Sequence, residues 1–222
     1  MKLRDFYRHY LSGDPYSEVR TWCEKSDCDL HVPKSWGSTS PVFAQLINDV
    51  KPQSIVEFGT WKGTSAIQLT RHAVKHQPGV AVLCVDTWLA SNPALWKVKQ
   101  FRESVLTQQI ERSQYARFLC NVLLSGCEKQ ILPFRNTSSL ALQLMRERRV
   151  RVNFIYIDAG HSECEVASDL AGAWEIVETG GVIIGDDFSA RFQGVLQAVR
   201  RFAKLKGVRP TIEGQKWWIH KR

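Results

Sequence analysis

Two hydrophobic periods alternate along this chain. Short apolar runs with β-branched residues, at 54–58, 80–85, 130–134, 152–157 and 182–184, read as buried strands. Helical spacing separates them. It is clearest at 41–50, where Val42, Phe43, Leu46, Ile47 and Val50 share one face, and it recurs at 66–74, 114–124, 138–148, 164–178 and 193–206. Two last runs, 208–212 and 215–220, predict a hairpin turning at Gly214. Strand alternating with helix implies an α/β fold: a mostly parallel sheet with helices on both faces, closed by an antiparallel C-terminal strand.

The chain's 222 residues fit one domain, 1–222, with enough apolar content for a real core. Amphipathic spacing predicts short helices at 3–11 and 16–25, and residues 1–40, too polar for a core of their own, read as a lid or an oligomer arm. Residues 88–113 exceed what one crossover needs and read as an insertion beside the ligand edge of the sheet. Trp88, Trp96 and Phe101 there either line a pocket or pack into the core.

The candidate chemistry starts at the first strand. Ser54-Ile55-Val56-Glu57-Phe58 runs into Gly59-Thr60-Trp61-Lys62-Gly63, and Thr64 and Ser65 offer an N-cap to the helix that follows. A strand, a glycine loop and a helix open a nucleotide-sized crevice at the carboxyl edge of such a sheet. The spacing is neither the G-x-G-x-x-G of a dinucleotide site nor a phosphate-cradling P-loop. Glu57 would repel a pyrophosphate and suit a cation. Asp86, ending the second strand ahead of Thr87 and Trp88, can accept from both hydroxyls of a ribose. A nucleoside with a positively charged tail and no phosphate satisfies both, and S-adenosylmethionine is such a molecule.

A second constellation follows the fourth and fifth strands: Asp158-Ala159-Gly160-His161 and Gly185-Asp186-Asp187. Three carboxylates converging at one crevice need a cation between them, and hard oxygen ligands suit Mg2+ or Mn2+. His161 is then placed to take a proton from an acceptor hydroxyl. The plainer alternatives are that Asp186 and Asp187 cap the next helix and that His161 binds backbone.

From Ile55 to Asp86 the chain resembles the cofactor motifs of class I S-adenosylmethionine-dependent methyltransferases. Asp158-x-x-His161, Gly180-Gly181-Val182-Ile183-Ile184-Gly185-Asp186-Asp187 and the closing Lys216-Trp217-Trp218-Ile219 resemble its metal-dependent branch of sugar O-methyltransferases and cephalosporin-hydroxylase-like proteins. The resemblance covers about 52–220. It implies a Rossmann-like methyltransferase sheet and a cofactor site of Glu57, Gly59, Thr60, Trp61, Gly63, Thr64, Ser65, Asp86, Thr87, Trp88, Thr137, Ser138 and Asp158. It also implies Mg2+ or Mn2+ on Asp158, Asp186 and Asp187, with His161 and Asp158 catalytic. Its acceptor is a sugar or glycoside hydroxyl. Relatives often carry Glu where this chain has Asp186, which has a shorter reach to a metal, and an aromatic residue where it has Glu163; the second departure implies a different acceptor surface.

Composition adds three expectations. No apolar run is long enough to span a membrane and the start, Met1-Lys2-Leu3-Arg4-Asp5, is charged, so a cytoplasmic protein without a membrane partner is expected. The six cysteines are scattered and read as reduced thiols; Cys23, Cys28 and His31 could begin a zinc site but lack a second ligand pair. The net charge of +8 concentrates at Arg146, Arg148, Arg149 and Arg151 and at Arg200, Arg201, Lys204, Lys206 and Arg209. Such charge suits helix ends; the alternatives are a metal-independent methyltransferase acting on nucleic acid or another anionic acceptor, or a non-catalytic cofactor-binding module.

Overall fold

A computed structural model describes residues 1–23, 40–89, 99, 103 and 113–222. Among them, eight helices and seven strands follow one another as α1 (Leu3–Tyr10), α2 (Ser17–Cys23), α3 (Pro41–Val50), β1 (Ser54–Phe58), α4 (Thr64–Ala73), β2 (Ala81–Asp86), α5 (Gln114–Leu124), β3 (Ile131–Arg135), α6 (Ser138–Glu147), β4 (Val152–Ile157), α7 (Glu163–Ile176), β5 (Val177–Gly185), α8 (Gln193–Lys206), β6 (Thr211–Glu213) and β7 (Lys216–His220). The strands form one sheet in the order β3-β2-β1-β4-β5-β7-β6. The first five are parallel; β7 runs antiparallel to β5 and β6. Strand order reverses between β1 and β4, which places the switch-point crevice beside the ends of those two strands.

The period of two decides the layers. Val56, Phe58, Leu83, Val85, Ile155, Ile157 and Ile183 face one core with α1, α6, α7 and α8. Their neighbours Ile55, Val82, Cys84, Phe154, Tyr156, Val182 and Ile184 face the other with α2, α3, α4 and α5. Each fully buried large apolar side chain contributes about 1.5–3 kcal/mol. Local chemistry sets the ends. Ser40 caps α3 with Pro41 in its first turn, Ser162 and Glu165 form a capping box on α7, and Gly207 closes α8 in the left-handed conformation.

Three expectations change. Thr64 and Ser65 do not cap α4; Gly63, at φ 85°, is its N-cap, and Ser65 turns inward to Glu57. The fifth strand begins at Val177, because Val177 pairs with Val152 across an irregularity and the chain crosses Gly180 and Gly181 still in the sheet. The described part of the N-terminal segment, 1–23, packs on the sheet's core: Phe6 and Tyr16 are buried in opposite layers, and the Tyr16 hydroxyl donates to the carbonyl of Ile131 at 2.9 Å. Finally, Cys23 and Cys120 form a disulfide joining α2 to α5, which corrects the all-reduced reading and removes Cys23 from any zinc site. Cys84 and Cys127 are free and buried, and Cys164 is exposed. Trp96, Phe101, Cys28, His31 and most of the 88–113 insertion lie outside the described residues. No helix among the described residues is long and apolar enough to cross a membrane.

Candidate active site

The Gly59 loop is built from backbone hydrogen bonds centred on one carboxylate. Asp86 Oδ2 accepts from the N–H of Thr60 at 2.9 Å and of Trp61 at 2.8 Å, and its Oδ1 accepts from Trp88 N–H at 2.7 Å. Oδ2 already accepts two bonds, whereas Oδ1 keeps a second acceptor direction, so Asp86 can clamp the loop and still meet a ribose hydroxyl. Gly59 lies at φ 84°, and a Cβ there would stand 2.0 Å from the carbonyl oxygen of Asp158; only glycine lets the loops after β1 and β4 approach so closely. Phe118 of α5 presses on Gly63, Asn121 Nδ2 donates to the Lys62 carbonyl at 2.9 Å, and Trp88 Nε1 donates to the Trp61 carbonyl at 2.7 Å. Trp88 is therefore a buried strut under the loop, packed against the tilted rings of Tyr115 and Phe118.

Beneath the loop lies Glu57, fully buried. Burial pushes its carboxyl up to about 8, against the hydrogen bond from Ser65 that favours the charge. Among the described residues, its second oxygen meets the Cys84 thiol, at 4.0 Å. An acid so poorly compensated suits a cationic ligand.

The carboxylates of the second constellation divide. His161 Nε2 and Asp187 Oδ2 meet at 2.6 Å, and the hydrogen bond that the ring donates to Asp187 raises the imidazole above its ordinary value against the effect of burial. Phe192 stacks on the His161 ring at 4.7 Å. Asp158, His161 and Asp187 present ligand atoms within 4.8 Å of one another. Asp158 is pushed up to about 7, by burial first and the neighbouring Asp186 second. Asp186 is held by protein partners: Lys216 Nζ donates to its Oδ2 at 2.5 Å, Tyr156 Oη stands 3.4 Å from the same oxygen, and Asp187 N–H donates to its Oδ1 at 2.9 Å. Lys216 also donates to Tyr156 Oη at 2.8 Å, and Tyr156 donates to Asp158 Oδ2 at 2.9 Å. Trp217, packed on Gly185, donates to the Asp186 carbonyl at 3.2 Å.

The trio expected to converge is thus split two to one. Hard-metal chemistry fits the open pair, Asp158 and Asp187, with His161 beside them. Among the other expected cofactor residues, Thr60, Thr64 and Ser65 are buried at the loop, and Thr87 Oγ1 accepts from Leu89 N–H at 3.2 Å. Thr137 caps α6, and Ser138 Oγ donates to Asp169 on α7 at 2.6 Å, so both have structural partners. Two residues were missed in the sequence. Tyr156 stands two positions before Asp158 on the same strand face. Lys216 is a charge inside a four-residue buried run, the one signal that could have marked it. Two cavities of about 410 and 450 Å3 flank residues 11–15. The larger reaches Arg135, which pairs with Asp86 across β2 and β3. Of the basic clusters, Arg146 pairs with Glu175 and Arg148 binds His9 and Tyr10 of α1, so part of that charge is spent on internal contacts.

Comparison with known proteins agrees with this fold. A family model described as a methyltransferase domain matches residues 56–188, from β1 through the acidic pair. No curated protein sequence matches. Solved structures with the same fold include the O-methyltransferase from Bacillus cereus in complex with SAH, at 17% identity, TM-score 0.58 and coverage of 98% of this chain and 96% of that one. They also include CalS11, a TDP-rhamnose 3'-O-methyltransferase of calicheamicin biosynthesis, at 12% identity, TM-score 0.58 and 99% coverage of both chains. The SAH-bound methyltransferase PaMTH1 of Podospora anserina shares 14% identity, with TM-score 0.59 and coverage of 99% and 94%. With the family match spanning more than half of the sequence, the chain belongs to the methyltransferase-domain family and is an S-adenosylmethionine-dependent methyltransferase.

Proposed function

We propose that the protein is an O-methyltransferase acting on a hydroxyl of a small molecule, a sugar or glycosylated metabolite, with His161 as the base. The observation that carries this reading is the His161–Asp187 pair beside Asp158 at the carboxyl edge of β4, the edge that also carries the Gly59 loop. The sugar is supported by the likeness to the TDP-rhamnose enzyme in fold and by the sequence resemblance; the hydroxyl is supported by the base and the carboxylates.

In this reading Gly59 to Gly63 cradle the cofactor, Asp86 meets its ribose through Oδ1 and Glu57 lies under its cationic end. The bound cofactor supplies an electrophilic methyl group on sulfonium sulfur. Asp187 holds the imidazole by Nε2, which leaves Nδ1 as the nitrogen that takes the acceptor proton. Phe192 fixes the ring plane. Asp158 and Asp187 would hold Mg2+ or Mn2+, whose chemistry is to lower the pKa of an acceptor hydroxyl. Positioning of that hydroxyl supplies much of the acceleration.

The test is transfer of labelled methyl from S-adenosylmethionine to a panel of glycosides, with Mg2+ and with EDTA, for wild type and His161→Gln. The reading predicts labelled methyl ethers, lost in the variant while cofactor binding persists. Turnover of nucleic acid but of no glycoside would replace the acceptor class. Full activity of His161→Gln would remove the base.

A further inference from the structure

The buried cation beside the carboxylates has a role that the proposed chemistry does not use. Lys216 is 4% exposed, on the antiparallel strand β7, and its ammonium lies over the rings of Phe43 and Tyr156 at 4.9 and 4.8 Å. Its two acceptors are Asp186 Oδ2 and Tyr156 Oη, and Tyr156 passes the contact on to Asp158. Asp186 has its other oxygen on the backbone N–H of Asp187. Tyr156 Oη also stands 3.4 Å from Asp186 Oδ2, so the lysine and the tyrosine hold one oxygen of Asp186 and a backbone N–H the other. Desolvating a lysine so completely is tolerated only with a close anionic partner and ring faces to replace water.

We propose that Lys216 is a built-in counter-cation and a positioning residue. It takes Asp186 out of the set of groups open to a divalent metal, and through Tyr156 it fixes Asp158 opposite Asp187. A metal then has two carboxylates to bind rather than three. The proposal rests on the reading of this edge as the catalytic one, and it concerns charge placement rather than the identity of the acceptor. It also gives the shorter Asp186 side chain a purpose: its reach matches the lysine.

Metal affinity tests this directly, because it follows the number of anionic ligands. Mn2+ is titrated calorimetrically into the full chain as wild type, Lys216→Met, Asp187→Asn and the paired Asp186→Asn/Lys216→Met, with S-adenosylhomocysteine binding as the check that each is folded. Lys216→Met frees Asp186 and should bind Mn2+ about tenfold or more tightly than wild type. The paired variant removes both charges together and should bind Mn2+ as wild type does, whereas Asp187→Asn should lose it. If Lys216→Met is recovered unfolded, the paired variant decides. Lys216→Met with unchanged affinity, or a paired variant as defective as Asp187→Asn, overturns the proposal. Mn2+ binding in Lys216→Met but not in wild type would uphold Lys216 as the counter-cation and remove the metal from the proposed function.

Discussion

Glu57→Gln separates the acid's part in stability from its part in binding. In the folded chain without ligand, burial holds the Glu57 carboxyl at about 8, while its ordinary value is 4.5. The native state therefore keeps a proton that the unfolded chain gives up between those two values, and stability falls as pH rises through that window. From 4.5 to pH 7 the cost accumulates over about 2.5 pH units at about 1.4 kcal/mol each, or about 3 kcal/mol. Glutamine has nearly the same shape, keeps an acceptor for the Ser65 hydroxyl and carries no proton to lose. Asp169, at about 6, slopes the same way in both proteins and cancels in the difference; Asp158, at about 7, is a charged neighbour of Glu57, so its slope cancels only in part. Urea unfolding of both chains between pH 4.5 and 8 is the assay. The variant should gain about 3 kcal/mol on wild type between the acid end and pH 7, equivalent to roughly 6–12 °C in Tm for a chain of this size. It should also bind S-adenosylhomocysteine more weakly, the acid having been replaced by a neutral group beneath the ligand's cationic end. Parallel stability profiles would refute the reasoning, because they would mean that Glu57 is ionised in the native protein.

Asp86→Ala frees the backbone N–H groups of Thr60, Trp61 and Trp88. It should weaken S-adenosylhomocysteine binding by about 1.5–3 kcal/mol; unchanged affinity would place the ribose elsewhere. Gly59→Ala sets a Cβ against the Asp158 carbonyl at positive φ and should destabilise by about 2–5 kcal/mol in thermal or urea unfolding. A variant as stable as wild type would show that the two loops are not so closely apposed. The Cys23–Cys120 bond spans 97 residues, so Cys120→Ala or a reductant should cost about 4–5 kcal/mol on the chain-entropy account. Superimposable urea curves with and without reductant would show that the bond does not constrain the unfolded chain.

The sheet was legible because parallel strands are apolar on both faces and end abruptly in Gly or Asp, so β1, β2 and β4 and their terminal residues read directly from composition. The start of β5 was not, since Glu178-Thr179-Gly180-Gly181 carries turn chemistry and is held in the sheet only by its pairing with β4. Side-chain destinations were legible only where one partner dominates. Asp86 was placed at the ligand edge, but its backbone partners come from the loop that folds over it. Ser65 looked like a cap because a helix follows it; burial of Glu57 gives it a stronger claim. Asp186 was indistinguishable from Asp187 because their different partners, Lys216 and His161, come from opposite sides of the sheet order. The disulfide joins residues whose proximity depends on α2 lying on α5, and no local pattern encodes that.

Calorimetric titration of S-adenosylhomocysteine into the wild-type chain tests the central claim most directly, since cofactor capture by the Gly59 loop underlies every later step. The account predicts saturable binding at one site per chain, at the loop that Glu57 and Asp86 support. Absence of binding by a folded chain would contradict it, and the loop would then serve another ligand.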